Sequence, residues 1–189
     1  MSDTPSSQSA SFLARASWPR IAIWMAIGAV ALTVSSYLVI PMGPVPITMQ
    51  TLAVTLVGAL YGWRLGAATV VIWLLLGAAD FPVFAGGAGG LSQFIGPTGG
   101  YLIAFPFGAA ATGALVARGW NADRFGLAFL AMLVGSLVCL CVGAVWLAAK
   151  IGPISAFANG FAPFLIGAGI KSLMGAAGLV LLSRMTARP

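Results

Sequence analysis

Acidic and titratable side chains are scarce in this sequence. Its 189 residues include three aspartates, no glutamate and no histidine, and 6% of them are charged, against about 25% in an ordinary soluble domain. Without histidine the chain lacks the most frequent general base and metal ligand. No apolar stretch holds a carboxylate pair, and the Gly-x-Ser-x-Gly element of hydrolases is missing. These absences predict a protein that is not an enzyme and that binds no metal or cofactor.

Apolar side chains make up 60% of the chain instead. A soluble fold of this length keeps a polar shell toward water, which this composition cannot supply. The lipid bilayer is therefore the expected solvent for most of the chain. We expect residues 1–18 to form a short polar cytoplasmic tail that is not a cleaved signal. Residues 19–189 then form one membrane domain.

Prolines and charged residues divide the apolar part into six segments. Pro41, Pro44 and Pro46 cannot continue a helix, and Arg64 with its neighbouring glycines marks another turn. The predicted spans are 21–40, 47–62, 65–79, 97–117, 125–149 and 160–183. The second and third reach about 24 Å at 1.5 Å per residue. They must either thin the bilayer locally or enter it and return as a hairpin. The sequence thus predicts an all-α integral membrane protein, a bundle of six transmembrane helices.

The basic residues predict how this bundle is oriented. In a six-span arrangement one side carries only Lys150. The other side carries seven arginines, namely Arg15, Arg20, Arg64, Arg118, Arg124, Arg184 and Arg188. Excess positive charge marks the cytoplasmic side, so both termini are expected there. Because the arginines stand singly at segment ends and form no cluster, we expect no nucleic-acid partner.

Lys171 is the most informative single residue. It lies near the middle of the last predicted span, where a cation costs about 2.5–3.5 kcal/mol on insertion scales. The acids Asp3, Asp80 and Asp123 all lie outside the spans. A ligand carboxylate is therefore the better partner for Lys171, and a structural lysine bonded to backbone carbonyls is the alternative. Ile170 stands where a phosphate-binding loop needs glycine, so we expect no nucleotide site here.

Other polar and aromatic residues fall in the outer half of the predicted bundle. Such groups around a cation suit a small ligand with an apolar body and polar ends, although each of them could equally bond helix to helix. The candidates are Thr48, Gln50, Phe84, Gln93, Tyr101, Asn159 and Phe164. Ala22 and Ala26 are small residues one turn apart, a spacing that allows close approach of another helix.

Three segments carry a resemblance to a known family. They are Gly43–Val54 (GPVPITMQTLAV), Gly77–Gly87 (GAADFPVFAGG) and Gly96–Phe105 (GPTGGYLIAF). Together they resemble the BioY family, the biotin-binding membrane (S) component of energy-coupling-factor (ECF) vitamin transporters. In the last span Pro163, Phe164, Leu165, Gly167 and Lys171 also match the family pattern.

The resemblance implies a six-helix fold of the S-component type in the bacterial cytoplasmic membrane, with both termini on the cytoplasmic side. Biotin would lie near the outer face, under the loop between the first two spans and the loop after the third. Lys171 would hold its carboxylate. Ala22 and Ala26 would face a transmembrane coupling (T) subunit, and two ATPase subunits would perform any ATP hydrolysis; some members of the family act without them.

The chain departs from the family pattern at three positions. Ala168 stands where the family has aspartate, and Asp80 and Phe81 stand where glycine and leucine are usual. Two alternatives to biotin uptake therefore stay open. One is an S component for a different vitamin-like ligand. The other is a structural membrane protein without transport activity, in which Lys171 bonds only to neighbouring helices.

Overall fold

Helices make up most of the chain in the computed structural model, which describes residues 18–186. In chain order the long helices are α1 (Trp18–Tyr37), α2 (Gln50–Ala78), α4 (Gly99–Ala117), α5 (Phe125–Ile151) and α7 (Ala162–Thr186). The short elements are β1 (Val39–Ile40), β2 (Ile47–Thr48), a 3-10 turn (Ala85–Gly87), α3 (Ser92–Ile95), α6 (Pro153–Ala156) and a π turn (Phe157–Phe161). Five helical stretches here are long and apolar enough to cross a membrane, α6, the π turn and α7 counting as one.

Helix α2 reverses direction at Gly62. This glycine has φ 79° and ψ 169°, which is not a helical conformation. A Cβ built on Gly66 would lie 2.8 Å from the Cα of Gly58, whereas eight residues of straight helix would separate them by about 12 Å. Residues 50–61 and 63–78 are therefore antiparallel limbs of a hairpin. The reversal lies two residues before Arg64, beside the predicted break. If the two limbs are counted separately, the described chain has six apolar helical segments.

Small residues let the helices approach closely. A side chain on Gly58 would collide with the backbone of Ala109 in α4, and one on Gly175 would collide with Met132 in α5. A Cβ on Gly135 of α5 would lie 2.7 Å from the backbone carbonyl oxygen of Gly108 in α4. Such contacts hold the first limb of α2, α4, α5 and α7 around a shared interior.

Two loops cover one end of the bundle. Helix α1 stops at Tyr37, three residues before the predicted limit of the first span, because Val39 and Ile40 pair with Thr48 and Ile47 in a small antiparallel sheet. This short β pair was not expected in an all-α fold. The segment between α2 and α4 returns over the same end, where the Ser36 hydroxyl donates a 2.7 Å hydrogen bond to the Val83 carbonyl.

The described arginines gather at the other end of the bundle. They begin or end helices, or follow the reversal of α2, and they are Arg20, Arg64, Arg118, Arg124 and Arg184. Lys150, at the end of α5, lies at the covered end and stands 5.4 Å from the Trp146 ring centre. Arg15, Arg188 and the predicted tail up to residue 17 lie outside the described residues.

Candidate functional site

A cavity of about 380 Å³ lies beneath the two covering loops. This volume is within the roughly 300–1,000 Å³ typical of small-molecule sites. Its walls come from both loops, from the start of α2 and from α4, α5 and α7. Seven of the eight predicted ligand-binding residues line it, namely Thr48, Gln50, Phe84, Gln93, Tyr101, Phe164 and Lys171.

Lys171 extends from α7 into the cavity, and two residues in and just before the first turn of α2 bind its ammonium group. Its ammonium donates hydrogen bonds of 2.9 Å to the Thr48 carbonyl and 2.8 Å to the Thr51 hydroxyl. The residue is only 8% exposed, and neither Asp80 nor Asp123 is among the residues around the cavity. The lysine thus bonds to a neighbouring helix, as the structural alternative expected, and also presents its charge to the cavity.

Gln50 presents a hydrogen-bond donor to the same space. The Thr48 hydroxyl donates a 2.9 Å bond to Gln50 Oε1, which orients the side-chain amide. Gln50 Nε2 is buried and has no partner in the described part of the chain. Leaving a buried amide donor unpaired costs about 1–3 kcal/mol, so this group is well placed to bond a ligand.

Phe84 forms part of the aromatic wall and fixes the loop that carries it. Its ring packs edge-to-face on Trp73 at 5.1 Å and on Phe94 at 5.6 Å, and the residue is 2% exposed. Gly77 makes room for this ring, since any side chain there would collide with it. Burial of a whole phenylalanine side chain contributes about 1.5–3 kcal/mol, so the loop is anchored over the cavity.

Tyr101 and Phe164 form another part of the aromatic wall. Their rings are stacked, with centres 6.3 Å apart. The Tyr101 hydroxyl donates a 2.7 Å bond to the Gly160 carbonyl in the π turn, so its polar end is satisfied within the protein. Tyr101 therefore offers the cavity its ring face rather than a free hydroxyl.

Asn159 is the one predicted ligand-binding residue that does not line the cavity. This side chain is exposed, lies outside the cavity, and donates a 2.8 Å bond to the Ser155 carbonyl. The π turn that contains it directs Gly160 inward, against Tyr101 and Leu147, and leaves Asn159 on the outside.

Thr51 and Ser136 are among the cavity residues that the sequence does not single out. Thr51 follows Gln50 in α2 and accepts the bond from Lys171. Ser136 lines the cavity from α5, and its buried hydroxyl has no partner in residues 18–186. A hydroxyl in the middle of an apolar span was the available signal, because such polar groups in a membrane interior need a partner.

The residues that depart from the family pattern lie in different parts of the structure. Ala168 lines the cavity one turn before Lys171, so a methyl group stands where the pattern has a carboxylate. Asp80 lies in the connection after α2 with φ 70°, a left-handed conformation that favours glycine. This conformation is a physical reason for the usual glycine at that position.

Ala22 and Ala26 lie outside the cavity, on the surface of α1. Both are exposed and, four residues apart, share one face of the helix. No described helix covers them, so this face is free to contact lipid or another membrane helix.

The cavity has the chemistry of a site for an amphiphilic anion. Its lining includes one buried cation, two unpartnered polar groups and the rings of Phe84, Phe105 and Phe164. Apolar walls with few oriented polar groups are typical of sites for small organic ligands. The described residues hold no group of three histidine, cysteine or acidic side chains that could bind a metal.

Comparison with known proteins finds the same family throughout. Residues 7–188 match the BioY family. A probable biotin transporter BioY of Pyrococcus horikoshii is 40% identical over 72% of this chain and 80% of its own. A biotin transporter BioY of Rhizobium etli is 43% identical over 70% of this chain and 75% of its own. A crystal structure of the S-component for biotin from an ECF-type ABC transporter superposes with a TM-score of 0.78, at 28% identity, covering 90% of this chain and 92% of that one.

Proposed function

Because this chain belongs to the BioY family, we propose that it binds biotin and serves in biotin uptake as the substrate-binding S component of an ECF-type transporter. The observation that carries this proposal is the buried Lys171 ammonium, the one charged side chain in the described lining of a cavity that also holds several aromatic rings. Biotin is a fused ureido–thiophane ring on a valerate chain that ends in a carboxylate, so its charge matches the Lys171 ammonium and its apolar body matches the aromatic rings of the lining. Named relatives are transporters, in line with a protein that is not an enzyme.

In this proposal Lys171 binds the carboxylate, since a charge-assisted bond is the strongest polar contact available in the cavity. Phe84, Tyr101 and Phe164 would pack on the rings and the methylene chain. Thr48 and Gln93, which also line the cavity, would contact polar atoms of the ligand near the covering loops.

Orientation and location follow from the charge distribution. The described arginines lie at the end remote from the cavity, and an excess of basic residues marks the cytoplasmic side. We therefore place the cavity at the outer face of a bacterial cytoplasmic membrane, with both termini inside. The exposed face of Ala22 and Ala26 then suits contact with a transmembrane T subunit, which two ATPase subunits would accompany.

Site-directed thiol labelling tests this orientation. In a chain with Cys139 and Cys141 replaced by alanine, a cysteine is placed either at Leu91 near the cavity or at Asp123 between α4 and α5. Both positions are exposed. A membrane-impermeant maleimide should label intact cells at position 91 and not at 123. The reverse pattern would refute the proposed orientation.

Equilibrium binding of labelled biotin to the purified full chain in detergent tests the ligand. Saturable binding that excess unlabelled biotin abolishes is the expected result. Failure of biotin to bind, with another vitamin stabilising the protein in a thermal-shift screen, would favour an S component for a different ligand. Ala168 is the observation behind that second candidate, because it removes a carboxylate from the cavity wall. No stabilisation by any vitamin would favour a structural membrane protein.

A further inference from the structure

Three hydrogen-bond donors from three helices face the cavity without a full set of partners. Lys171 has three N–H groups and uses two of them, on Thr48 and Thr51. Gln50 Nε2 and Ser136 Oγ are buried and have no partner in the described chain. The three residues are 8%, 5% and 2% exposed, and all three line the cavity.

Helix packing brings Ser136 level with Lys171. Gly175 of α7 lies directly against Met132 of α5, and the two helices are antiparallel. One turn from Met132 toward the cavity leads to Ser136, and one turn from Gly175 in the same direction leads to Lys171. The two side chains therefore approach the same level of the cavity from neighbouring helices.

Gln50 is joined to Lys171 through one residue. The Thr48 carbonyl accepts from Lys171, and the Thr48 hydroxyl donates to Gln50 Oε1. This second bond uses the amide oxygen and leaves the Nε2 hydrogens available. Lysine, amide and hydroxyl thus form what we call the donor triad: Lys171, Gln50 and Ser136.

Gln50 Nε2, Ser136 Oγ and the third N–H group of Lys171 have no protein acceptor among the described residues. Ala168, one turn before Lys171, contributes only a methyl group, and no acidic side chain lines the cavity. A single group that satisfies all three donors needs several acceptor lone pairs, and the buried ammonium favours a group with a negative charge. A carboxylate meets this requirement, whereas a neutral primary amide has one oxygen acceptor in place of two and leaves the ammonium without a counter-charge.

We propose that Ser136 and Gln50 act with Lys171 as the determinants that bind the ligand carboxylate, so that this protein selects the free acid over its neutral amide. This inference rests on the proposed function, because it takes biotin as the ligand. It adds Ser136 as a specificity-determining residue and gives Gln50 a defined partner, the second carboxylate oxygen.

The test compares two ligands that differ only at the acid. The dissociation constants of biotin and biotinamide are measured for the purified full chain, for Ser136→Ala and for Gln50→Ala. Ser172→Ala is the matched control, because Ser172 is equally buried, has an unpartnered hydroxyl and lies outside the cavity. Thermal midpoints without ligand show that each variant is folded.

The expected result is a change in selectivity and not only in affinity. Each cavity variant should weaken biotin binding by about tenfold or more, the loss of one hydrogen bond to a charged group. Biotinamide binding should change little, so the ratio of the two constants should fall. Ser172→Ala should leave both constants unchanged.

Two other outcomes are distinguishable. Biotin binding by the unaltered chain, with the same ratio of constants in Ser136→Ala and Gln50→Ala, would overturn the donor triad and leave the proposed function standing. Absence of biotin binding by the unaltered chain would overturn both.

Discussion

Replacement of Lys171 by methionine tests the buried charge with little change of shape. Methionine keeps an unbranched side chain that fills the space between α7 and α2, and it removes the charge and all three N–H donors. A hydrogen bond to a charged group contributes about 1.5–3 kcal/mol. The dissociation constant for biotin should therefore rise roughly 10- to 150-fold.

The stability of the unliganded protein should change much less. The variant loses the bonds to the Thr48 carbonyl and the Thr51 hydroxyl, each of which contributes about 0.5–1.5 kcal/mol, or somewhat more for a charged donor. It also ends the burial of a cation inside the bundle, which costs about 2.5–3.5 kcal/mol. These opposing effects are of similar size, so ligand affinity and unliganded stability should separate clearly in this variant.

Titration of purified protein with labelled biotin measures the first effect, and the thermal midpoint without biotin measures the second. Lys150→Met is the matched control, since Lys150 is exposed at the same end of the bundle and lies outside the cavity. It should bind biotin as the unaltered chain does. A dissociation constant for Lys171→Met within about twofold of the control, well short of the loss of one such bond, would refute the assignment of Lys171 to the carboxylate.

Four further predictions concern the rest of the fold. Gly58→Val should lower the free energy of unfolding by about 1–3 kcal/mol or more, and with it the thermal midpoint, because its side chain meets the Ala109 backbone. Gly178→Ala, with nothing near the added Cβ, should leave the midpoint unchanged. Asp80→Ala should destabilise the protein relative to Asp80→Gly in the same melting assay, because only glycine adopts φ 70° freely. Asn159→Ala should leave biotin affinity unchanged; a loss would return this residue to the site. Ala26→Trp should reduce biotin uptake by cells without altering binding to the purified chain, and unchanged uptake would argue against contact with a partner helix there.

The positions of the helices were largely predictable because bilayer crossings leave strong signals. Three prolines between residues 41 and 46 forced one break, and Arg64 with its glycines marked the second, which lies at Gly62 in the structure. The start of α5 was placed at its observed first residue, Phe125. The lower accuracy at the end of α1 reflects the β pair, which depends on contact between two segments and leaves no periodic pattern in so few residues.

Site residues could be predicted from the sequence where burying a charged side chain in the membrane costs much free energy. A cation inside a span requires a partner, and this reasoning identified Lys171. Ser136 gives a weaker signal of the same kind, because serine is tolerated in membrane helices and α5 is apolar on every side, so its inward face is not visible in the sequence. Asn159 was assigned from its polarity and its position near the outer surface. The π turn, which turns it away from the cavity, could not be read from the sequence.

The hairpin at Gly62 has a consequence for how the chain enters the membrane. No loop residues separate its limbs, and residues 50–61 extend only about 18 Å, too short to cross a hydrocarbon core of about 30 Å on their own. The free energy of moving the first limb alone from the translocon into lipid is therefore small until the second limb has been synthesised. Both limbs are expected to partition into lipid together, and the substrate cavity, whose Gln50 and Thr51 lie on the first limb, can form only after that joint insertion.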